Sequence, residues 1–451
     1  SDRYAWAHNI AESVLSDRAV QRKSLTRQID KVLTHRFFGL VVFIGIMYLV
    51  FQSIYTAAGP LMDLIEEGFG KLAEAVSPLL AFNEDLQSFV VDGLIAGVGG
   101  ALVFLPQILI LFGLIAILEG SGYLARAAFL MDRSLSWCGL NGRAFIPLLS
   151  SYACAIPGVM AARVMPDPKS RLATILVAPL MSCSARLPVY LLLIGTFIEP
   201  TYGAAAAGFA LFAMHLLGLF VAMPVVYILT RGVLKGKSLP FLLELPPYQW
   251  PNWKDVLLNM YTRGMVFLKT AGTIIVVMTT IIWALQYYPK TEIDTTGLAE
   301  DQVEFSAMRA QQENSYLGQM GHAIEPIFRP AGFDWRIATS ILAAFPAREV
   351  VVPSMGIIFS VGDDDDVEST PLRTALQEAT WPDGRKLFTP YTTVGLMVFF
   401  ALCAQCMATL AAVKRETNSW KWPVFMFVYM STLAYLGAVI AYQIGRLNGV
   451  G

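Results

Sequence analysis

Long apolar runs separated by short charged stretches set the pattern of this chain. Seven of them, at about 37–58, 94–118, 172–197, 203–230, 264–288, 391–413 and 423–444, are long enough to cross a bilayer as helices. Two more, 144–162 and 337–361, are apolar but differ in their flanks. The first has Arg143 before it and Arg163, Lys169 and Arg171 after it, with Pro147 and Pro157 inside. The second lies between an acidic loop and Asp363–Asp366. A segment whose two ends carry the charge of one side is expected to enter and leave by that side, and irregular backbone is tolerated at membrane depth only where it is buried in protein or lines a cavity. The pattern therefore predicts an all-α integral membrane protein with about seven spans and two re-entrant hairpins that enter from opposite faces.

Charge orders these pieces. Residues 1–36 read as an amphipathic connector rich in Arg and Lys, placed in the cytoplasm by the positive-inside rule. Residues 37–93 give the first span and an outside loop with Asp63, Glu66, Glu67, Glu74, Glu84, Asp85 and Asp92. Two larger units follow, 94–231 and 264–451, joined by a Pro-containing connector at the membrane edge, 232–263. Polar loops are expected at 289–336, with a surface helix near 315–328, and at 362–390.

The two units align with one another. Gly139, Arg143, Leu149 and Tyr152 fall on Gly332, Arg336, Leu342 and Phe345 at an offset of 193 (332 minus 139), and Cys183 falls on Cys403 at 220 (403 minus 183). With one hairpin entering from inside and the other from outside, this is the inverted repeat of secondary transporters, whose site lies near the midplane between repeats.

Composition agrees and excludes other classes. Of 451 residues, 55% are hydrophobic and only 15% charged, below the roughly 25% of a soluble domain. A net charge of −1 and no basic run leave no basis for nucleic-acid binding. Four of the five cysteines, Cys154, Cys183, Cys403 and Cys406, lie in apolar segments, which points to thiols in a bilayer and away from a secreted disulfide framework. No cleavable signal peptide, metalloprotease motif or nucleophile-base spacing appears, so no catalytic residue is assigned. The nearest approach to a phosphate loop, Gly232–Ser238, spaces its glycines four apart instead of five, so no nucleotide is expected in this chain.

The motifs LEGSGYLARAAFLMDR at 118–133, YACAIPGVMAAR at 152–163, APLMSCSARLPVY at 178–190, FPAREVVVPSMG at 345–356 and LCAQCMATLAAVKRET at 402–417 resemble the membrane region of the FeoB ferrous iron transporter family over nearly the whole chain. The resemblance implies paired gate segments, Fe2+ as the transported substrate, a multi-pass place in the bacterial cytoplasmic (inner) membrane with the N-terminus inside, and a small cytoplasmic accessory protein; a homo-oligomer is also expected. It further implies an N-terminal GTP-binding domain ahead of the connector, so the chain is expected to be a fragment. The order of hairpins and broken helices is also similar to the concentrative nucleoside transporters, which keeps a nucleoside or other organic solute as the alternative cargo.

Under the iron reading, Cys154, Cys183, Cys403 and Cys406 are the candidate metal ligands, because ferrous iron accepts thiolate, imidazole and carboxylate. Cys403 and Cys406 form a Cys-x-x-Cys inside one helix, which is expected to put both thiols on one face. Glu349 joins them as a carboxylate too costly to leave unpaired in an apolar segment, with Arg186 as its expected partner from the opposite repeat and Arg348 as the adjacent alternative. Ser182, Ser184 and Gln405 could add oxygen ligands, and unwinding around SCSA would free carbonyls. Glu119 is expected to anchor a helix end, and His215 to pack or bond within its bundle.

Overall fold

The computed structural model describes residues 6, 26, 28–35, 37–234, 246–290, 310–346, 348–359 and 370–447, without the side chains of 51, 54, 55, 133, 134, 349, 370 and 371. Most of the connector 1–36, the middle of the first polar loop (291–309) and Asp363–Asp366 therefore lie outside the described residues. Among those described, regular structure is helical apart from one isolated bridge between Thr380 and Lys386.

Helix starts follow local chemistry. Asp167 accepts from the amide of Ser170 at 3.0 Å and is followed by Pro168, Asp334 accepts from Ile337 N at 3.0 Å, and Thr389 accepts from Thr392 N just before Pro390. Each cap satisfies an amide that the first helical turn leaves open.

In chain order the helices are α1 (Phe38–Val76), α2 (Glu84–Gly120, interrupted at Phe104), α3 (Tyr123–Trp137), α4 (Phe145–Ala153), α5 (Ala155–Ala161), α6 (Pro168–Val177), α7 (Leu187–Leu193) and α8 (Ala204–Ile228). After the connector come α9 (Trp253–Tyr287), α10 (Tyr316–Phe328), α11 (Trp335–Ala343), α12 (Val351–Ile358), α13 (Thr370–Glu378), α14 (Pro390–Leu402), α15 (Met407–Thr417) and α16 (Lys421–Leu447).

Among the described residues, six helical segments are long and apolar enough to cross a membrane: Glu84–Gly120, Pro168–Tyr202, Ala204–Val233, Trp253–Tyr287, Pro390–Thr417 and Lys421–Leu447. α1 opens with the shorter apolar stretch Phe38–Val50. Burial sorts them. The apolar windows of Pro168–Tyr202 and Pro390–Thr417 are 67% and 72% buried, against 17% for those of α8 and α9, so the first two form the centre and the others the lipid-facing shell. Phe209, Phe212 and Phe220 of α8 accordingly point outward.

Three boundaries differ from expectation. α1 continues through Asp63, Glu66, Glu67 and Glu74 to Val76, because carboxylates carry a helix into water without ending it. α9 begins at Trp253, capped by Asn252, so the last part of the expected surface connector is already helix. Cys403 to Cys406 do not share a helix: the segment Pro390–Thr417 unwinds there, with Cys403 at φ −67, ψ 156 and Cys406 at φ −167, ψ 98.

Each short apolar segment is a pair of helices joined by a break. α5 folds back on α4 across Cys154 so closely that a Cβ on Gly158 would lie 2.7 Å from the carbonyl oxygen of Pro147. α11 and α12 pack together across residues 344–350. The aligned positions share backbone conformation: Gly139 and Gly332 are left-handed, at φ 88 and 77. Cys183, at φ −81 and ψ 161, matches Cys403.

Candidate functional site

The breaks in the two central segments border one cavity. The turn Ser184–Arg186 packs against the turn Arg348–Val350, which brings the first broken segment against the second hairpin. Unwinding a helix in an apolar interior strands carbonyls that have no water to bond, and two buried arginines take them up. Arg186, 1% exposed, donates through its NH1 to the carbonyls of Met181 (2.8 Å) and Leu180 (3.3 Å) and through its NH2 to Pro179 (3.0 Å). Arg348, 5% exposed, donates through Nε to the carbonyl of Gln405 (2.7 Å) and through NH2 to that of Cys403 (2.8 Å). Positive charge at the C-terminal end of a half-helix is also favoured by the backbone dipole. The first break is thus held by an arginine of its own segment and the second by one from the neighbouring hairpin.

Side chains finish the closure. Ser182 donates to the carbonyl of Met214 at 3.2 Å, tying the first break to α8. Ser184 donates to the carbonyl of Ala153 at 3.1 Å and accepts from Gln107 at 3.0 Å, tying it to α4 and α2. The Gln405 amide donates to the carbonyl of Ile341 at 3.1 Å, and its oxygen accepts from the thiol of Cys403 at 3.1 Å.

Beside these breaks lies a cavity of about 100 Å³. Its polar lining comes from Gln107, Cys154, Cys183, Ser184, Cys406 and Thr409, with Arg348 at one wall. Three of the four candidate thiols therefore converge, from the first hairpin and from both broken segments. Cys403 does not line it; the side chain is 1% exposed and bonded to Gln405. No disulfide joins any of the five cysteines, and no group of three or more His, Cys, Asp or Glu arranged to hold a metal ion occurs among the described residues.

The remaining candidates fall elsewhere. The side chain of Glu349 lies outside the described residues; its backbone is in the turn against Ser184–Arg186. The bonds that Arg186 makes through NH1 and NH2 go to main-chain carbonyls. Glu119 is exposed at the end of α2, away from the cavity. His215 bonds the carbonyl of Leu211 in its own helix at 2.9 Å.

Sequence reasoning missed Gln107 and Thr409 in the lining and three ion pairs outside the apolar centre. Glu416, at the end of α15, takes Arg163 in a two-pronged pair (2.8 and 2.6 Å) and Arg171 at 3.1 Å. Arg126 of α3 bonds Asp30 of the connector at 3.0 Å, the carbonyl of Pro246, and stacks on the ring of Tyr248. Burial pushes the Asp30 carboxyl up, but hydrogen bonds from Arg126 and Tyr248 outweigh it and hold the group below the usual carboxylate range. A charged residue at the edge of an apolar segment needs a partner, but these partners lie far away in the sequence.

Residues 101–197 and 268–420 match the family model Gate, described as "Nucleoside recognition", and residues 211–263 match "Ferrous iron transport protein B C terminus". The chain is 40% identical over 443 residues to the Fe(2+) transporter FeoB of Leptospira biflexa, covering 98% of this chain and 62% of the relative. It is 35% identical over 446 residues to that of Campylobacter jejuni, covering 99% and 69%. It is 36% identical over 466 residues to the Fe(2+) transport protein A/Fe(2+) transporter FeoB fusion protein of Porphyromonas gingivalis, covering 99% and 54%. The chain thus spans less than two thirds of the first and last of these relatives. No solved structure matches it.

Proposed function

The chain belongs to the FeoB ferrous iron transporter family, and from that premise we propose that it carries Fe2+ across the bacterial inner membrane through the cavity between the two breaks. The observation that carries this reading is the convergence of Cys154, Cys183 and Cys406, from three separate elements, on one cavity in the middle of the two most buried segments. A divalent cation that leaves water there needs replacement ligands, and ferrous iron accepts sulfur as well as the oxygens of Ser184, Gln107 and Thr409. A loosely gathered donor set suits passage, whereas a closed ligand cage would retain the ion.

The hairpins α4–α5 and α11–α12 are read as entering from opposite faces of an inverted repeat, with the N-terminus in the cytoplasm beside Arg143, Arg163, Arg171 and Arg415. The matched conformations of Gly139 with Gly332 and Cys183 with Cys403 support this reading. A GTP-binding domain and a small accessory protein are its proposed partners; the name of the Porphyromonas relative, a fusion with Fe(2+) transport protein A, supports the second.

The test is ligand-dependent thermal stabilisation of the purified chain under anaerobic conditions, comparing Fe2+, Zn2+ and nucleosides. Saturating ligand at about a hundred times its dissociation constant stabilises by roughly 2.7 kcal/mol. Fe2+ should stabilise the wild type and lose that effect when Cys154, Cys183 and Cys406 are all changed to Ser. Stabilisation by a nucleoside with none by Fe2+ would move the reading to the organic-solute alternative.

A further inference from the structure

The ion pair at Glu416 stands where a path out of the cavity would reach the basic side of the protein. A second, narrow cavity of about 10 Å³ shares Ile156, Phe267 and Ala408 with the central one and extends to Arg415 and Glu416. Only that short apolar neck separates the thiol-lined space from the carboxylate. The Glu416 side chain is 2% exposed, although the arginines it holds are 53% and 33% exposed. Both oxygens are engaged: Oε1 accepts from Arg163, and Oε2 from Arg163 and Arg171. The pair also crosses between units, since Arg163 follows α5 and Arg171 lies in α6, while Glu416 ends α15. Beside it, Arg415 bonds Thr270 of α9 at 2.9 Å, closing the same end from the other flank.

We propose that Glu416 is the gate of the cavity on its basic, cytoplasmic side, with Arg163 and Arg171 as the latch that holds it shut. The proposal rests on reading the cavity as the transport path. An exposed ion pair adds little to stability, but one that seats a buried carboxylate across the mouth of a cavity fixes the spacing of the two elements that form the mouth. Release of the latch frees the end of α15 from α5 and α6, and α5 and α15 line the neck together with α9.

The experiment measures the labelling rate of Cys154, Cys183 and Cys406 by a membrane-impermeant thiol reagent, applied to either face of the chain in vesicles, with Cys138→Ser as background. In the Arg163→Gln/Arg171→Gln variant, whose altered side chains are partly exposed, labelling from the basic side should rise several-fold and labelling from the other side should not change. Glu416→Gln should do the same. Reversing all three charges (Arg163→Glu, Arg171→Glu, Glu416→Arg) should return the rate toward the starting value. Unchanged labelling from the basic side in both neutralised variants, at unchanged thermal midpoint, would overturn the gate. Labelling requires no iron, so the two readings fail separately: faster labelling without Fe2+-dependent stabilisation keeps the gate and removes the cargo, and the converse removes the gate alone.

Discussion

Gly158 lies directly over Ser151: a Cβ at Gly158 would fall 1.7 Å from the serine hydroxyl oxygen. That oxygen is itself bonded to the carbonyl of Pro147 at 2.8 Å, and the same carbonyl would be 2.7 Å from the added carbon. Close passage of α5 over α4 is what turns the first short apolar segment into a hairpin. Gly158→Ala should therefore destabilise the chain by about 1–3 kcal/mol, the usual range for overpacking. Ser151→Ala should recover part of the loss, because it relieves the hydroxyl contact and leaves the carbonyl contact. Thermal unfolding of the two single variants and the double variant checks this; strictly additive losses would contradict the contact.

Arg348 should not tolerate lysine. Its fork reaches the carbonyls of Gln405 and Cys403 from two different nitrogens, and a single ammonium cannot reproduce that spread. Leaving even one buried acceptor unmet costs about 1–3 kcal/mol, so Arg348→Lys should lower the thermal midpoint clearly while Arg329→Lys, at an exposed position, should not. Equal midpoints for the two variants would show that the second break is held by something else.

Cys403 and Cys406 should separate in their effects. Cys406 lines the cavity, whereas Cys403 is buried against Gln405. Cys406→Ser should weaken the Fe2+-induced shift in midpoint with little change in the metal-free protein. Cys403→Ser should change the metal-free midpoint and leave the shift in place. The reverse pattern would put Cys403 on the path.

Asp30 ties the connector to α3 through Arg126, and its carboxyl is held below the usual range despite partial burial. A depressed carboxyl stabilises the folded form above its unfolded-state value and loses that contribution as pH falls through the lower folded-state value. The difference in stability between wild type and Asp30→Asn should therefore be flat above about pH 4, the ordinary carboxylate range, and shrink only below it. A difference that grew between neutral and alkaline pH would point to another group. Limited proteolysis of the connector across pH reads it directly.

The apolar helical segments were legible because length and hydropathy speak to each piece separately. The first break was legible too: Pro179 and Pro188 bracket Met181–Cys183, and each proline removes a hydrogen bond that a continuous helix would need there. The second was not. Cys403–Cys406 contains neither proline nor glycine, so its local sequence reads as helix and suggested two thiols on one face. Contacts distant in sequence hold it open, from Arg348 to two of its carbonyls and from Gln405 to Ile341. The same reason hid the partners of Glu416, which lie some 250 positions away in the sequence.

The two breaks, similar in backbone, differ in what they need in order to move. The first carries its own cation, so Pro168–Tyr202 can shift as a rigid body with its stranded carbonyls still bonded. The second borrows Arg348, so any displacement of α14 and α15 against the α11–α12 hairpin strips two carbonyls in an apolar interior. Motion in that half is therefore all or none: hairpin and broken segment travel together, or the arginine must find new acceptors at the end of the stroke. One break thus keeps its carbonyls bonded from within its own segment, with only the Ser182 and Ser184 hydroxyls tying it to α8, α4 and α2, while the other is geared to its neighbour through the guanidinium itself.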